Sequence, residues 1–372
     1  MGNHTPIVRA STAAICLMVF VSLVGCASAT AKPPEHPSEA ADESGAAVDE
    51  SAAAGDAVVV VPQVAVGRDH ACGLASDGSV ECWGDNTHGQ GTALGNRYTQ
   101  ITAGALHTCA IQQNGQVDCW GLGNDGRARA PDSTFALIAA GADHTCGITA
   151  DSTISCWGNG EQGETTPPPG RFKQIASGAN RSCAISDQDA VLCWGESRDD
   201  QSAPPTGTFM QVTLGGKHIC AIASDGQVQC WGDDKFHQTE PPTGKFVQIS
   251  AGTRHTCGVH EDGSVVCWGA GTAGAQGFPN FGQAAAPIGK FTQVSAGEAN
   301  SCAMGSDGYV QCWGSDTGGR STPSLAFAAA EQLGKGPVAE APKAAASTRG
   351  MSVPTTSKHE SLSDVDTSVK EH

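Results

Sequence analysis

Basic residues are scarce in this chain. Lys and Arg total 21 against 38 Asp and Glu, for a formal net charge of -17. Phosphate backbones demand a basic surface, so no nucleic-acid partner is expected. Aromatics make up only 5% of the residues, with two tyrosines in all. Residues 26–57 and 334–372 contain none and are dominated by Ala, Pro, Ser, Thr and Glu. Such segments bury too little apolar surface to offset their ordering entropy and are read as disordered. Long apolar runs are missing as well. Residues 13–24 form a run of 12, short of the roughly 20 that a spanning helix needs. No nucleophile elbow, phosphate-binding glycine loop or HExxH motif occurs, so neither an enzyme nor a cofactor is expected.

What the chain has instead is a repeat. Seven cysteine pairs, each with nine residues between its members, recur as Cys72/Cys82, Cys109/Cys119, Cys146/Cys156, Cys183/Cys193, Cys220/Cys230, Cys257/Cys267 and Cys302/Cys312. Trp-Gly follows every second cysteine and accounts for all seven tryptophans. The first six units are spaced 37 residues apart, and the seventh follows after 45. A fixed period of this size identifies a repeat architecture.

Each repeat carries three short apolar runs bounded by turn signals: Phe-x-Gln-Ile-x-Ala-Gly, His-Thr-Cys-Ala-Ile and Val-x-Cys-Trp-Gly. They read as β-strands. If the two cysteines lie opposite each other, the second and third runs form a hairpin with a three-residue loop. Five repeats place Asp-Gly or Asn-Gly there, as at Asp77-Gly78, which suits a type I turn ending in a left-handed residue. Ala150-Asp151-Ser152 and Asp187-Gln188-Asp189 depart from this and predict altered or strained turns. The same register puts an aliphatic pair beside every cysteine pair, such as Leu74/Val80 and Met304/Val310. It puts each tryptophan on the opposite face, next to a row of Gly or Ala (Gly73, Ala110, Gly147 and their counterparts). A large ring over tiny side chains suits face-to-face stacking of small sheets.

These cysteines could form disulfides or hold zinc. Histidine stands two residues before the first cysteine in five repeats, as His70, His107, His144, His218 and His255, so three metal ligands would cluster. Arg181 and Asn300 replace it in repeats four and seven, yet both keep their cysteines. A pair that survives loss of the histidine behaves as a disulfide, and no metal is expected. The histidines are then structural, each facing the glycine after a tryptophan and bonded to a nearby backbone group; the alternative is a ligand-binding ring around a central channel.

The units Ala-Gly-x-x-His-Thr-Cys-Ala-Ile, Asp-Gly-x-Val and Cys-Trp-Gly resemble the regulator of chromosome condensation repeat family, and their short period is most similar to its compact bacterial branch. The resemblance spans residues 58 to about 333. With the derived strands it implies an all-β, seven-bladed β-propeller of three-stranded blades with one disulfide per blade. Val61 to Gly67 supplies the first strand, and a degenerate copy over 324–333 could add a strand that locks the ring. The family resemblance also implies protein–protein recognition and, in eukaryotic nuclear members, guanine-nucleotide exchange.

The N-terminus has the form of an export signal: Arg9, the apolar run, then Leu23-Val24-Gly25-Cys26, which resembles a bacterial lipobox. The expected organisation is a signal peptide over 1–25, a lipid-anchored disordered linker over 26–57, a propeller over 58–333 and a disordered tail over 334–372. Lipid would sit on Cys26. Ala27 and Ser28 after it favour the outer membrane by resemblance to enterobacterial sorting. Cleavage after Ala27-Ser28-Ala29 would instead release a soluble protein. Residues between Trp-Gly and the next strand vary, and loops on a rigid scaffold commonly carry binding. The sixth such segment, 270–290, is eight residues longer than the others and carries Phe278 and Phe281. With Phe236 of the fifth segment, these either anchor a partner or pack back on the propeller. The expected function is a monomeric, envelope-anchored scaffold binding a protein or envelope polymer. The alternative is a lyase or hydrolase with polar groups converging at the channel mouth.

Overall fold

The computed structural model describes residues 59–196, 203–272 and 278–328. Cys26 and both flanking segments lie outside the described residues. Twenty-one strands form seven antiparallel three-stranded sheets, each in sequential order. Blade 1 comprises β1 (Gln63–Val66), β2 (His70–Leu74) and β3 (Val80–Gly84). Blade 2 comprises β4 (Tyr98–Ala103), β5 (His107–Gln112) and β6 (Val117–Gly121). Blade 3 has β7 (Phe135–Ala140), β8 (His144–Thr149) and β9 (Ile154–Gly158). Blade 4 has β10 (Phe172–Ser177), β11 (Arg181–Ser186) and β12 (Val191–Gly195). Blade 5 is built from β13 (Phe209–Leu214), β14 (His218–Ala223) and β15 (Val228–Gly232). Blade 6 is built from β16 (Phe246–Ala251), β17 (His255–His260) and β18 (Val265–Gly269). Blade 7 holds β19 (Phe291–Ala296), β20 (Asn300–Gly305) and β21 (Val310–Gly314). The fold is a seven-bladed propeller, with the first strand of each blade innermost.

The hairpin register is the one the cysteine spacing predicts. Cys72 faces Cys82, Leu74 faces Val80 and His70 faces Gly84. The same facing joins Cys109 to Cys119, Cys146 to Cys156, Cys183 to Cys193, Cys220 to Cys230, Cys257 to Cys267 and Cys302 to Cys312. All seven pairs are disulfides, with Cα separations of 3.9–4.1 Å. These are the closely approaching, non-hydrogen-bonded positions of an antiparallel ladder. The two halves of each bridge differ in burial, which the register alone does not distinguish. The first cysteine lies on the middle strand and is fully buried. The second lies on the outer, edge strand, and Cys82, Cys119, Cys156, Cys193, Cys230, Cys267 and Cys312 are all only half-buried. Each bridge therefore anchors the edge strand of its blade to the packed middle one.

The third and fourth hairpins are the strained turns that their sequences predict. Ser152 (φ 71°) and Asp189 (φ 68°) adopt the left-handed conformation that Gly78 (φ 82°) supplies in the first hairpin. The turn is unchanged and the residue absorbs the strain, because the flanking bridge fixes the register.

The core is seven separate clusters, one per seam between blades. At the first seam, Cys72 and Leu74 of blade 1 pack on Tyr98, Ile101, Ala110 and Trp120 of blade 2. The aromatic that opens an inner strand covers the small residue after the first cysteine of its own blade; a Cβ on Gly147 would stand 2.4 Å from Phe135. Blade 1 has no such aromatic. Phe327 takes the place from the far end of the chain, over Gly73 and against Trp83 (6.1 Å between centroids), within the cluster joining blades 7 and 1. Closure is therefore made by an aromatic plug. Residues 324–328 form a turn rather than the expected added strand, and 329–333 lie outside the described residues.

Candidate functional site

The inner-to-middle turns and the start of each inter-blade segment share one end of the ring, here the turn face. The β2–β3 type hairpins occupy the other end. A cavity of about 280 Å³ opens on the axis at the turn face. Its rim is built of triplets such as Ala103-Gly104-Ala105 and Ala140-Gly141-Ala142, so it is smooth and largely apolar. Arg68, Thr253 and Glu298 bring the longer polar side chains, from blades 1, 6 and 7.

The five histidines do not reach that cavity. Each is at most 1% exposed. Their Nε2 atoms bond to a hydroxyl of the next blade: His70 to Thr108 (2.8 Å), His107 to Thr145 (2.8 Å), His144 to Ser182 (2.8 Å), His218 to Thr256 (2.7 Å) and His255 to Ser301 (2.7 Å). Thr108 donates its own proton to the Gln90 carbonyl at 2.9 Å, so the His70 Nε2 is the donor. The partner is a side chain across the seam, where a backbone group was expected. Burial disfavours the charged imidazole and lowers the pKa to about 4 for His70, His144 and His218, and to about 3 for His107 and His255. These are inter-blade ties held neutral.

Six of the seven tryptophans make a second tie, their indole N–H donating to a carbonyl in the segment leading into their blade: Trp120 to Gln90, Trp157 to Arg127, Trp194 to Glu164, Trp268 to Gln238, Trp313 to Gln283 and, across the ring closure, Trp83 to Arg320. The accepting residue braces its own loop. Buried Gln90, Gln238 and Gln283 each accept the main-chain N–H two residues earlier. Arg320 reaches Asp69 at 2.9 Å, pinning blade 7 to blade 1. Sequence reading passes over these residues because they differ in type (Gln, Arg or Glu). Their signal is position: seven residues after tryptophan, shifted only by the insertion in the sixth segment, and usually preceded by glycine.

That insertion carries the candidate site. Phe281 N–H donates to Gln283 Oε1 at 2.7 Å, as Phe236 N–H donates to Gln238 Oε1 at 2.7 Å, so these two phenylalanines are structurally equivalent. Phe278 belongs to the extra residues. Gln283 Nε2 also donates to the Pro279 carbonyl (2.7 Å), and Asn280 Oδ1 accepts from Gly271 N (2.8 Å). The backbone at 279–283 is thus tied down while the rings project. Phe278 is 77% exposed and Phe281 45%. They meet edge to face at 6.2 Å, and the Arg254 guanidinium lies 5.2 Å from the Phe278 ring centre. Arg254 stands in the turn between β16 and β17, which places the pair on the turn face. Phe236 is half-buried, with Lys235 Nζ 5.9 Å from its ring centre. Its loop meets the same blade, because Gln238 and Arg254 both pack around Gly269. The structure brings the three phenylalanines onto one face, with two stacked cations.

One further group could hold an ion. Ligand atoms of Asp234, His237 and Glu240 lie within 4.8 Å of one another, and all three residues are exposed. Each is engaged inside the loop: His237 Nδ1 bonds to Glu240 at 3.1 Å, and Asp234 accepts the Thr239 amide at 2.9 Å. The Glu240 carboxylate raises the His237 pKa. Their observed role is to shape the loop that presents Phe236.

The regulator of chromosome condensation (RCC1) repeat model matches seven times, at residues 62–90, 98–127, 135–164, 172–201, 211–238, 246–275 and 291–320. The chain belongs to that family. Its propeller is similar to the CRINKLY WD40 ectodomain of the receptor kinase ACR4 from Arabidopsis thaliana, at 26% identity and TM-score 0.57, covering 70% of this chain and 97% of that one. It is similar to the ectodomain of the receptor kinase CR4 from Physcomitrella patens at 26% identity and TM-score 0.58, covering 68% and 73%. Prp20p from Saccharomyces cerevisiae shares the fold at 19% identity and TM-score 0.53, covering 65% and 81%. No curated relative matches the chain.

Proposed function

We propose that this chain is a protein-binding scaffold of an oxidising compartment, docking its partner on the turn face of blades 5 and 6 through Phe278, Phe281, Phe236 and Arg254. The observation that carries the reading is the braced loop of the sixth segment. Two rings stay exposed on a backbone held by Gln283, and aromatic side chains fixed in place are effective interface anchors because little ordering entropy remains to be lost. The site occurs once, on the insertion that breaks the period, whereas the disulfides and tryptophans recur in every blade as scaffold. Prp20p is described for its binding to Gsp1p and histones, so protein binding has a precedent on this fold. Seven disulfides suit an oxidising environment, and two of the similar propellers are receptor ectodomains. Export with lipid on Cys26, and attachment to a bacterial outer membrane, complete the reading.

The test is a pull-down from envelope extract with mature protein. Wild type recovers a partner, and the F278A/F281A variant, with unchanged melting temperature, recovers at least tenfold less. Equal recovery would place docking elsewhere on the propeller. Mass spectrometry of the same mature protein finds a diacylglyceryl adduct on Cys26; an unmodified N-terminus rules out the anchor and leaves the scaffold reading standing.

A further inference from the structure

Nine large apolar side chains are exposed among the described residues. Phe278 and Phe281 stand on the turn face, and Val247 lines a cavity between inner strands. The other six are Val59, Val61, Leu94, Ile288, Tyr309 and Leu325. All six belong to one arc of the hairpin end.

Backbone hydrogen bonds place them there. The Tyr98 amide donates to the Gly78 carbonyl at 2.9 Å, so the segment carrying Leu94 arrives beside the hairpin of blade 1. The Phe291 amide donates to the Gly263 carbonyl at 2.8 Å and brings the segment carrying Ile288 to the hairpin of blade 6. The Val310 amide donates to the Phe327 carbonyl at 2.8 Å, so Leu325 and Tyr309 share the hairpin of blade 7. Val59 and Val61 flank Val60, which is buried in one cluster with Leu74 and Tyr98. The apolar tips therefore follow one another over the seams between blades 6 and 7, 7 and 1, and 1 and 2. Ile288 is fully exposed, Val59 is 87% exposed and Leu325 79%. Seams on the opposite arc carry Asp132, Thr206 and Thr243 where Ile288 stands. Charges beside two of the tips are paired, Arg97 with Asp77 at 3.0 Å and Lys290 with Asp262 at 3.1 Å. Attraction to charged headgroups is therefore weak here, and apolar burial is the available driving force.

We propose that this arc docks on a lipid bilayer, its aliphatic tips inserting at the interface of the membrane that holds Cys26. The inference rests on the Cys26 anchor of the proposed function. Val59 belongs to the arc, and the 32 residues 27–58 join it to Cys26, a reach of at most roughly 120 Å at full extension. Tethering at that range keeps the bilayer at high effective concentration beside the arc. A contiguous exposed apolar patch marks an interaction surface, and an apolar contact beside a lipid chain strengthens attachment. Docked this way, the propeller turns Phe278 and Phe281 away from the membrane, toward a partner.

The test couples the chain beginning at Cys26 to phosphatidylcholine vesicles, through that thiol and a maleimide lipid, so that it does not depend on natural lipidation. Benzoylphenylalanine replaces Leu325 or Phe278 in turn. On irradiation, lipid adducts form from position 325 and not from position 278. Val59→Ser with Ile288→Ser lowers the yield at 325 about tenfold, with an unchanged melting temperature because both side chains are exposed. Lipid adducts from 278, from neither position, or crosslinks between two copies through 325 in place of lipid overturn the proposal. Mass spectrometry of Cys26 decides the anchor separately: an unmodified Cys26 together with lipid adducts at 325 removes the natural anchor and leaves the lipid-docking arc standing.

Discussion

Reducing the seven disulfides unfolds the propeller at 37 °C and neutral pH. Each bridge spans a sequence separation of 10 and contributes about 3 kcal/mol in the chain-entropy model. Seven such contributions do not simply add, but together they match or exceed a typical net stability of roughly 5–15 kcal/mol. The core offers little to replace them. It is divided into seven seam clusters, and the first cysteine of every pair is itself a fully buried member of that core. The half-buried second cysteines, such as Cys119 and Cys267, give reductant its access from the edge strands. Replacing both Cys220 and Cys230 by Ala removes a single bridge without leaving a free thiol. The expected loss is about 3 kcal/mol, or a melting temperature lower by roughly 5–10 °C. Thermal denaturation with and without reductant checks both statements. A reduced protein that melts where the oxidised one does would show that packing alone holds the blades.

Acid unfolds the propeller well above the carboxylate range. The five buried histidines have folded-state pKa values of about 3 to 4, below the unfolded value of roughly 6.5. Between these limits the unfolded chain binds protons that the folded chain refuses. Their stabilising contribution is therefore complete above roughly pH 6.5 and is lost as pH falls through about 6 and 5 toward the folded values. Each histidine costs about 1.4 kcal/mol per pH unit in that window, so five acting together consume a typical stability within one to two units. The midpoint is expected near pH 5. Asp77, Asp151 and Asp262 also have lowered pKa values, through hydrogen bonds from Ser79, from Thr149 and Thr153, and from Ser264. They lose stability only below their unfolded value of about 4, so the two classes separate by pH. Tryptophan fluorescence across pH 7.5 to 3 reports the transition. Replacing His218 by Asn, the residue that blade 7 carries at this position, lowers the proton uptake on unfolding by one. Stability that stays flat down to pH 4.5 would contradict the buried, neutral assignment.

What can be read in advance is what recurs. Comparing seven copies places each cysteine opposite its partner, attaches an aliphatic pair to every bridge and assigns the tryptophans to packing between blades, because strand alternation is a local rule. The unequal burial within a bridge, Cys156 or Cys193 or Cys312 at the edge against its fully buried partner, depends on which strand the next blade covers. The bonds between blades are less legible still. The glutamine of Phe-x-Gln-Ile is visible in the repeat, yet its bond to the next inner strand, as when Gln100 accepts the Ile138 amide, depends on an edge strand whose neighbour is another sheet. The histidines point across a seam that no single repeat contains. Phe327 cannot be recognised from sequence as the missing aromatic of blade 1, since it lies beyond the last hairpin with no repeat around it. Phe278 and Phe281 are marked by the break in period, but whether they pack back or project depends on Gln283, whose equivalence to Gln90 the insertion hides.

If the repeating parts are scaffold and the interrupted sixth segment is the docking surface, a crosslinker on that segment must capture the partner. Benzoylphenylalanine is placed at position 278 on the turn face or at position 309, an exposed hairpin site at the opposite end. On irradiation in envelope extract, position 278 yields a discrete adduct and position 309 yields none. Adducts from 309 alone, or equal adducts from both, would contradict the assignment of docking to the sixth segment.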